Sequence, residues 1–243
     1  DLALALGLSL ATAPLESLRW WAGWLGPDDP LPPLPAGEGD AADRPAGRPA
    51  TAEDAAPAEP GTDGRPAAYV VFLSGIGSIS GDELLPRERG FLDRLRRTLP
   101  EVAIVDDVFP YAPSGRSLLT GQRVFARLWR VVDGMRLRGV VVLPAILNIR
   151  NLFQVLVSAD DRYGPIYSFA MARLVRDGLA RRGYRADRPT PVVLIGFSGG
   201  GQVSIGAATY LAATLDAPIH VVSIGGVMAS DRGIDAIEGL TRL

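Results

Sequence analysis

Residues 191–200, PVVLIGFSGG, join an apolar run to a serine that is flanked by glycines. The run predicts a buried strand over 191–195. A serine at the sharp corner between such a strand and a following helix has a backbone conformation that is costly for any residue with a Cβ. Gly196 and Gly200 leave the room that this corner needs. The stretch therefore predicts a nucleophile elbow with Ser198 as the nucleophile.

The glycines that follow Ser198 predict an anion-binding helix start. Gly199, Gly200 and Gly201 open the next helix, where backbone N–H groups are unpaired and the helix dipole is positive. Such N–H groups stabilise a developing oxyanion, so the segment after Ser198 could supply part of an oxyanion hole. The alternative is a Gly/Ser turn with no catalytic role.

The composition is that of an ordinary globular protein and excludes several chemistries. The chain has 243 residues, is 47% hydrophobic and 21% charged, and has a net charge of -2, so we expect one folded domain and no nucleic-acid partner. All 25 basic residues are arginine, which excludes a lysine Schiff base or a Ser-Lys dyad within the chain. The absence of cysteine excludes thiol catalysis and disulfides. We expect neither a cofactor nor a metal ion.

The amino-terminal segment, residues 1–26, has the composition of a membrane-proximal region. Residues 2–15 carry no charge but are fewer than the ~20 needed to cross a bilayer. Trp20, Trp21 and Trp24 follow, and tryptophan suits the lipid headgroup layer. We expect membrane association through this segment, with sequence upstream of Asp1. A short amphipathic helix packed on the domain is the alternative.

Residues 27–67 predict a disordered linker. The stretch consists mainly of Pro, Ala, Gly, Asp and Glu and has almost no large apolar side chain. It cannot bury enough surface to offset the entropy of ordering it. The folded domain is therefore expected over 68–243.

The rest of the chain alternates predicted strands and helices. Apolar runs predict strands at 68–73, 102–105, 191–195 and 219–224, and helical spacing predicts helices at 82–99, 164–184 and 202–215. Nearly continuous apolar strands separated by helices indicate a mostly parallel sheet with helices on both faces, which is an α/β fold. We expect the strands at 68–73 and 191–195 to be neighbours, flanked by those at 102–105 and 219–224 respectively.

This order of parts resembles the α/β-hydrolase superfamily over roughly residues 68–230. The resemblance implies a serine esterase or lipase-like hydrolase that acts on a small ester or acyl substrate through an acyl-enzyme at Ser198. It also implies an oxyanion hole formed by the N–H groups of Gly199 and of Ile76, which lies in the loop Ser74-Gly75-Ile76-Gly77. Many members have a histidine at the position of Ser74, so the loop departs from the family pattern.

The carboxyl end departs further from that family. Its members usually carry the acid after the seventh strand and the histidine after the eighth, whereas this chain ends soon after the predicted strand at 219–224, which would be the sixth. The one histidine, His220, begins that strand and should lie at the opposite edge of the sheet from Ser198. We expect His220 to be structural and the catalytic histidine to lie beyond Leu243. Asp231 either orients that histidine or caps a helix.

Residues 139–159 lie where the superfamily often inserts a lid. If they are helical after Pro144, a narrow polar line runs along an otherwise apolar helix; it consists of Asn148, Asn151, Gln154 and Ser158. Such a helix should bury two faces. It covers an acyl-binding pocket, touches a membrane or packs in the core.

Two other functions fit part of the sequence. One is a catalytically silent hydrolase-like module that binds an acyl ligand or a protein. The other is a dinucleotide site, with the glycines of 75–77 around a pyrophosphate and Asp106 on the ribose. Asp82 and Glu83 would repel the phosphates, and Pro86 indicates that the helix begins too late to reach them.

Overall fold

The computed structural model describes residues 65–81, 84–115, 142–226, 228–229 and 232–243, together with four helical positions, Gly7, Ala11, Leu15 and Leu18. Most of the predicted membrane-proximal segment and of the predicted linker lies outside these residues, as do Asp82, Glu83 and Asp231.

Strands and helices alternate along most of the described chain. The strands are β1 (Ala68–Leu73), β2 (Val102–Val105), β3 (Val192–Phe197), β4 (Ile219–Ile224) and β5 (Gly239–Arg242). The helices are α1 (Pro86–Thr98), α2 (Val142–Ala159), α3 (Gly164–Arg181) and α4 (Gly199–Ala212), and a short 3-10 helix spans Arg232–Ala236.

The five strands form one parallel sheet in the order β2-β1-β3-β4-β5. The α/β class and the predicted arrangement of four strands are confirmed: β1 and β3 are neighbours, with β2 beside β1 and β4 beside β3. Leu73 of β1 lies opposite Gly196 of β3. Because parallel strands end at the same edge, this register places the loop after β1 beside the corner after β3.

Strand β5 was missed, so the expectation that the sheet ends at 219–224 is wrong. It pairs in parallel with β4, and Gly239 lies opposite His220. The strand has only four residues, of which two are exposed, and it carries no alternating apolar pattern. Pairing with β4 and not local sequence determines this edge strand.

Two hydrophobic clusters lie on the two faces of the sheet. Alternate residues of β1 divide between them: Val71 and Leu73 belong to the cluster that includes α3 and α4, and Val70 and Phe72 belong to the cluster that includes α1. Helices therefore cover both faces of the sheet, as an all-parallel sheet requires.

Several element boundaries differ from those predicted, and three of the differences have a clear physical reason. Helix α1 begins at Pro86, a residue favoured in the first turn, and not at 82. Helix α3 ends at Arg181 because Gly183 has a φ of 86°, which a continuing helix does not allow. Helix α4 begins at Gly199 instead of 202, since the tertiary corner outweighs the low helix propensity of glycine.

Helix α2 runs through the predicted lid-like insertion, and its orientation was not foreseen. The polar line faces inward: Asn151, Gln154 and Ser158 are buried, and Asn148 is partly buried. The helix buries this face, together with the apolar Leu147, Val155 and Val157, and packs against α3 and α4. The remaining apolar side chains are exposed: Ile149, Leu152, Phe153 and Leu156. The expectation that it buries two faces is therefore wrong.

Candidate functional site

Ser198 occupies the sharp corner between β3 and α4. It has φ 53° and ψ −119°, and it is the only residue other than glycine with a positive φ in the described part of the chain. Its backbone N–H donates to the carbonyl of Ile224 in β4, at 2.9 Å. The side chain is partly exposed, and its hydroxyl has no hydrogen-bond partner among the described residues. The corner thus presents the Ser198 hydroxyl at the carboxyl edge of the sheet.

The two glycines that flank the corner are sterically required. A Cβ on Gly196 would lie 2.5 Å from the backbone of Gly200. A Cβ on Gly200 would overlap the carbonyl oxygen of Leu73 in β1. Any larger residue at either position would push the strand, the helix or the neighbouring loop apart, because backbone atoms cannot move aside as a flexible side chain does.

The loop after β1 lies directly against Gly199. A Cβ placed on Gly199 would be 2.9 Å from Ile76 Cγ2, 2.7 Å from Val155 Cγ2 and 3.2 Å from the Tyr111 hydroxyl. The structure therefore brings together Ser198, Gly199 and Ile76, the three residues singled out from the sequence. The N–H groups of Gly199 and Ile76 have no acceptor within the residues that the structure describes.

Helix α2 and the segment after β2 hold this loop from one side. The Asn151 amide donates to the carbonyl oxygens of Ile76 and Ser78, at 2.7 and 2.8 Å. Arg150 donates to Asn151 Oδ1 at 2.9 Å and to the Tyr111 carbonyl at 2.7 Å. The network determines the orientation of the Ile76 carbonyl, and with it the placement of the loop.

Tyr111 fixes the start of the same loop. Its hydroxyl donates to the Ser74 carbonyl at 2.7 Å. Burial, and then the nearby Tyr167 and Glu88, raise the pKa of Tyr111 well above its ordinary value. The hydroxyl consequently stays protonated at neutral pH and can donate this hydrogen bond.

Glu88 holds the loop from the other side. This buried carboxylate accepts from the Gly75 N–H at 2.8 Å and from the Leu85 N–H at 3.0 Å. Sequence analysis did not single out Glu88. It occupies the third position of α1, after the N-cap residue Leu85, and a glutamate at that position is a known capping signal. Tyr111 and Arg150 were also missed, and no local pattern identifies them because they act from distant segments.

The position of Glu88 argues against the dinucleotide alternative. Its carboxylate occupies the glycine loop and the start of α1, where a bound pyrophosphate would have to lie. Asp106, the proposed ribose ligand, is paired with Arg96 at 2.5 Å and with Arg182 at 3.2 Å. The glycine loop and Asp106, the two parts of the proposed dinucleotide site, are thus both occupied by contacts within the protein.

His220 lies at the far edge of the sheet. It is exposed and pairs in register with Val193, five residues before Ser198 along β3. Five strand residues correspond to a separation of roughly 16 Å. No imidazole of this chain is therefore within hydrogen-bonding distance of the Ser198 hydroxyl.

Asp106 and Asp107, the two carboxylates that follow β2, are paired with arginines and not with Ser198. Asp107 pairs with Arg181 at 2.9 Å, beside the two ion pairs of Asp106. Asp231, the candidate for orienting a histidine, lies outside the described residues. Among the residues that are described, no group of three or more acidic or histidine side chains could hold a metal ion.

Within the described ranges, no helix is both long and apolar enough to cross a membrane. No protein-family model matches the chain, and neither the curated proteins nor the solved structures that were compared with it give a match.

Proposed function

We propose that this chain carries the nucleophile and the oxyanion hole of a serine hydrolase of the α/β-hydrolase type, acting on an ester or acyl substrate. The observation that carries the proposal is the conformation of Ser198, a strained non-glycine residue at a strand-to-helix corner. The strand order supports the same interpretation, because the loop after β1 lies beside the elbow after β3.

The reaction begins when Ser198 Oγ attacks the carbonyl carbon of the substrate. The carbonyl oxygen gains negative charge and accepts from the Gly199 and Ile76 N–H groups. Collapse of the tetrahedral intermediate expels the alcohol and leaves an acyl-enzyme at Ser198. Water then releases the acid; another nucleophile in its place would make the protein an acyltransferase.

The serine proton must pass to a base during the attack. His220 is exposed at the other edge of the sheet and cannot accept it. The proposal therefore requires an imidazole from polypeptide other than these 243 residues, and the chain alone should acylate slowly.

Helix α2 has the place of a lid in this proposal. Val155 packs over Gly199 beside Ile76, so apolar side chains border the serine. An acyl chain would be bound against them, with α2 as its cover. We also propose that residues 1–26 keep the protein near a membrane.

The experiment is covalent labelling with a fluorophosphonate, which reacts with activated serines. Slow labelling should become faster when free imidazole is added as a base, and Ser198→Ala should abolish it. His220→Gln is the matched control and should label at the parent rate. Gly199→Ala should slow labelling by about 10²-fold, because its Cβ would displace Ile76.

A silent binding module is the second candidate, and the distance between His220 and Ser198 favours it. It predicts no labelling with or without imidazole, and none in a longer chain that continues past Leu243. Equal labelling of the parent and of Ser198→Ala would contradict the assignment of the nucleophile.

A further inference from the structure

Strand β5 is an outer strand of the sheet and has one unpaired edge. It pairs with β4 on one side, and within the residues that the structure describes no strand pairs with its other side. The Leu243 N–H donates to the Ser223 carbonyl, and the Leu243 carbonyl accepts from the Gly225 N–H, so both groups point toward β4. Because these groups alternate in direction along a strand, Leu240 and Arg242 direct theirs away from β4. The outer edge of β5 therefore offers backbone donors and acceptors at these two residues.

The other outer strand, β2, is covered by a charged side chain. Arg182 follows α3, donates to the Ile104 carbonyl of β2 and pairs with Asp106 at 3.2 Å. A charged side chain laid across an outer strand keeps that strand from pairing with another chain. Strand β5 differs in this respect. Glu238 and Arg242, the charged residues at its two ends, are exposed and form no ion pair within the described part of the chain.

Residues 238–242, EGLTR, are self-complementary about Leu240. Glu238 directly precedes β5, and its N–H donates to the Ile219 carbonyl of β4 at 2.8 Å, which holds it beside the sheet. Residues two apart along a strand have their side chains on the same face, so Glu238, Leu240 and Arg242 share one face. An antiparallel copy centred on Leu240 places each Glu238 opposite an Arg242 and the two leucines opposite each other. Opposite charges in such cross-strand positions stabilise the pairing.

The backbone restricts the register of this pairing in the same direction. Two facing residues of an antiparallel pair exchange both hydrogen bonds only when the N–H and C=O groups of each point across the interface. Leu240 and Arg242 meet this condition, so the two-fold axis must pass through a residue and not between two. An axis through Thr241 would place Arg242 opposite Leu240 and leave Glu238 without a partner. The charges therefore select the axis through Leu240.

We propose that β5 pairs antiparallel with β5 of a second copy of this chain, about a two-fold axis at Leu240. The pairing joins two five-stranded sheets into one of ten strands, and the contact closes at a dimer because both copies use the same surface. Two hydrogen bonds between the Leu240 residues and two ion pairs of Glu238 with Arg242 connect the copies. Since the paired segment is short, the dimer should be reversible and should form as the protein concentration rises.

This surface does not depend on the proposed hydrolase activity. In the dimer, four strand spacings separate β3 of one copy from β4 of the other, which is about 19 Å. His220 of the second copy therefore cannot reach Ser198.

The test is sedimentation velocity of the full chain over a series of concentrations, with charge reversals at two exposed positions. Arg242→Glu places a second carboxylate opposite Glu238, and Glu238→Arg places a second guanidinium opposite Arg242. Each reversal should weaken the dimer by about tenfold or more, because like charges directly opposite each other destabilise strand pairing. Arg89→Glu is the matched control; it makes the same charge change at an exposed position of α1 and should dimerise like the parent.

A mixture of the two reversed variants tests the register itself. When Arg242→Glu and Glu238→Arg are combined in equal amounts, each charged position of one variant faces the opposite charge on the other. The mixture should dimerise at the concentration at which the parent does, although each variant alone is monomeric there. The double variant Glu238→Arg/Arg242→Glu should also dimerise like the parent, and added salt should reduce the differences between the variants.

Four results would overturn the proposal. The parent is monomeric at every concentration. The parent dimerises, but neither reversal weakens the dimer, which identifies another surface. The mixture of the reversed variants stays monomeric, which excludes the antiparallel register about Leu240. The Leu240 amide is protected from hydrogen exchange at every dilution, which identifies another segment of the same chain as the partner of β5.

Discussion

Replacing Ser198 with glycine should make the protein more stable, although it removes the candidate nucleophile. Ser198 is held at φ 53°, ψ −119°, a region that glycine enters freely and residues with a Cβ do not. Holding a non-glycine residue there costs about 1–3 kcal/mol. Glycine adds freedom to the unfolded chain, which opposes folding by about 0.4–1 kcal/mol. The expected net gain in the free energy of unfolding is therefore about 1 kcal/mol.

Urea denaturation of Ser198→Gly and Ser198→Ala gives the comparison. Alanine removes the hydroxyl but keeps the Cβ and the strain, so it isolates the backbone term. Ser198→Gly should unfold at a higher urea concentration than Ser198→Ala with the same slope, because the stability changes while the surface exposed on unfolding does not. A glycine variant that is equal to the alanine variant or less stable would refute the strain argument.

Three further predictions concern the fold. Glu88→Ala should lower the free energy of unfolding by about 3 kcal/mol, because it leaves the buried N–H of Gly75 and the partly buried N–H of Leu85 unpaired; a loss below about 1 kcal/mol in urea denaturation would contradict this. Burial raises the pKa of Asp177 despite three neighbouring arginines, so its carboxyl favours folding when protonated and this contribution is lost as the pH rises through the folded-state pKa. Asp177→Asn should therefore gain stability over the parent at neutral pH and lose that advantage in acid, as thermal melts at the two pH values will show. Limited proteolysis should cut first within residues 27–67, and protection of that whole stretch would be contrary evidence.

Most of the sheet could be predicted because its strands coincide with apolar runs that are visible in the local sequence. Strands β1, β2 and β4 begin and end where their apolar runs do, and the preference for right-handed crossovers leaves few possible strand orders. Strand β5 could not be predicted, because its four residues have little apolar content and form a strand only through backbone pairing with β4.

The part of the candidate site that depends on neighbouring residues in the sequence was predictable. A serine between glycines at the end of a buried strand indicates the corner, and the loop at 74–77 follows a strand that neighbours it. The long-range contacts that hold the loop were not predictable. The spacing of Glu88 indicates a bond to Leu85, but no spacing rule reveals its bond to Gly75 or the bond from Tyr111 to the Ser74 carbonyl.

The sequence alone determined that residues 191–200 make a glycine-flanked corner, because a Cβ on Gly196 would meet the backbone of Gly200 and Gly201, only a few residues further along the chain. Tertiary structure alone decided which face of α2 turns inward. Helical periodicity shows that two faces exist but not which one is buried. The polar face could be buried because Asn151 finds the carbonyls of Ile76 and Ser78, which only the assembled sheet places beneath it.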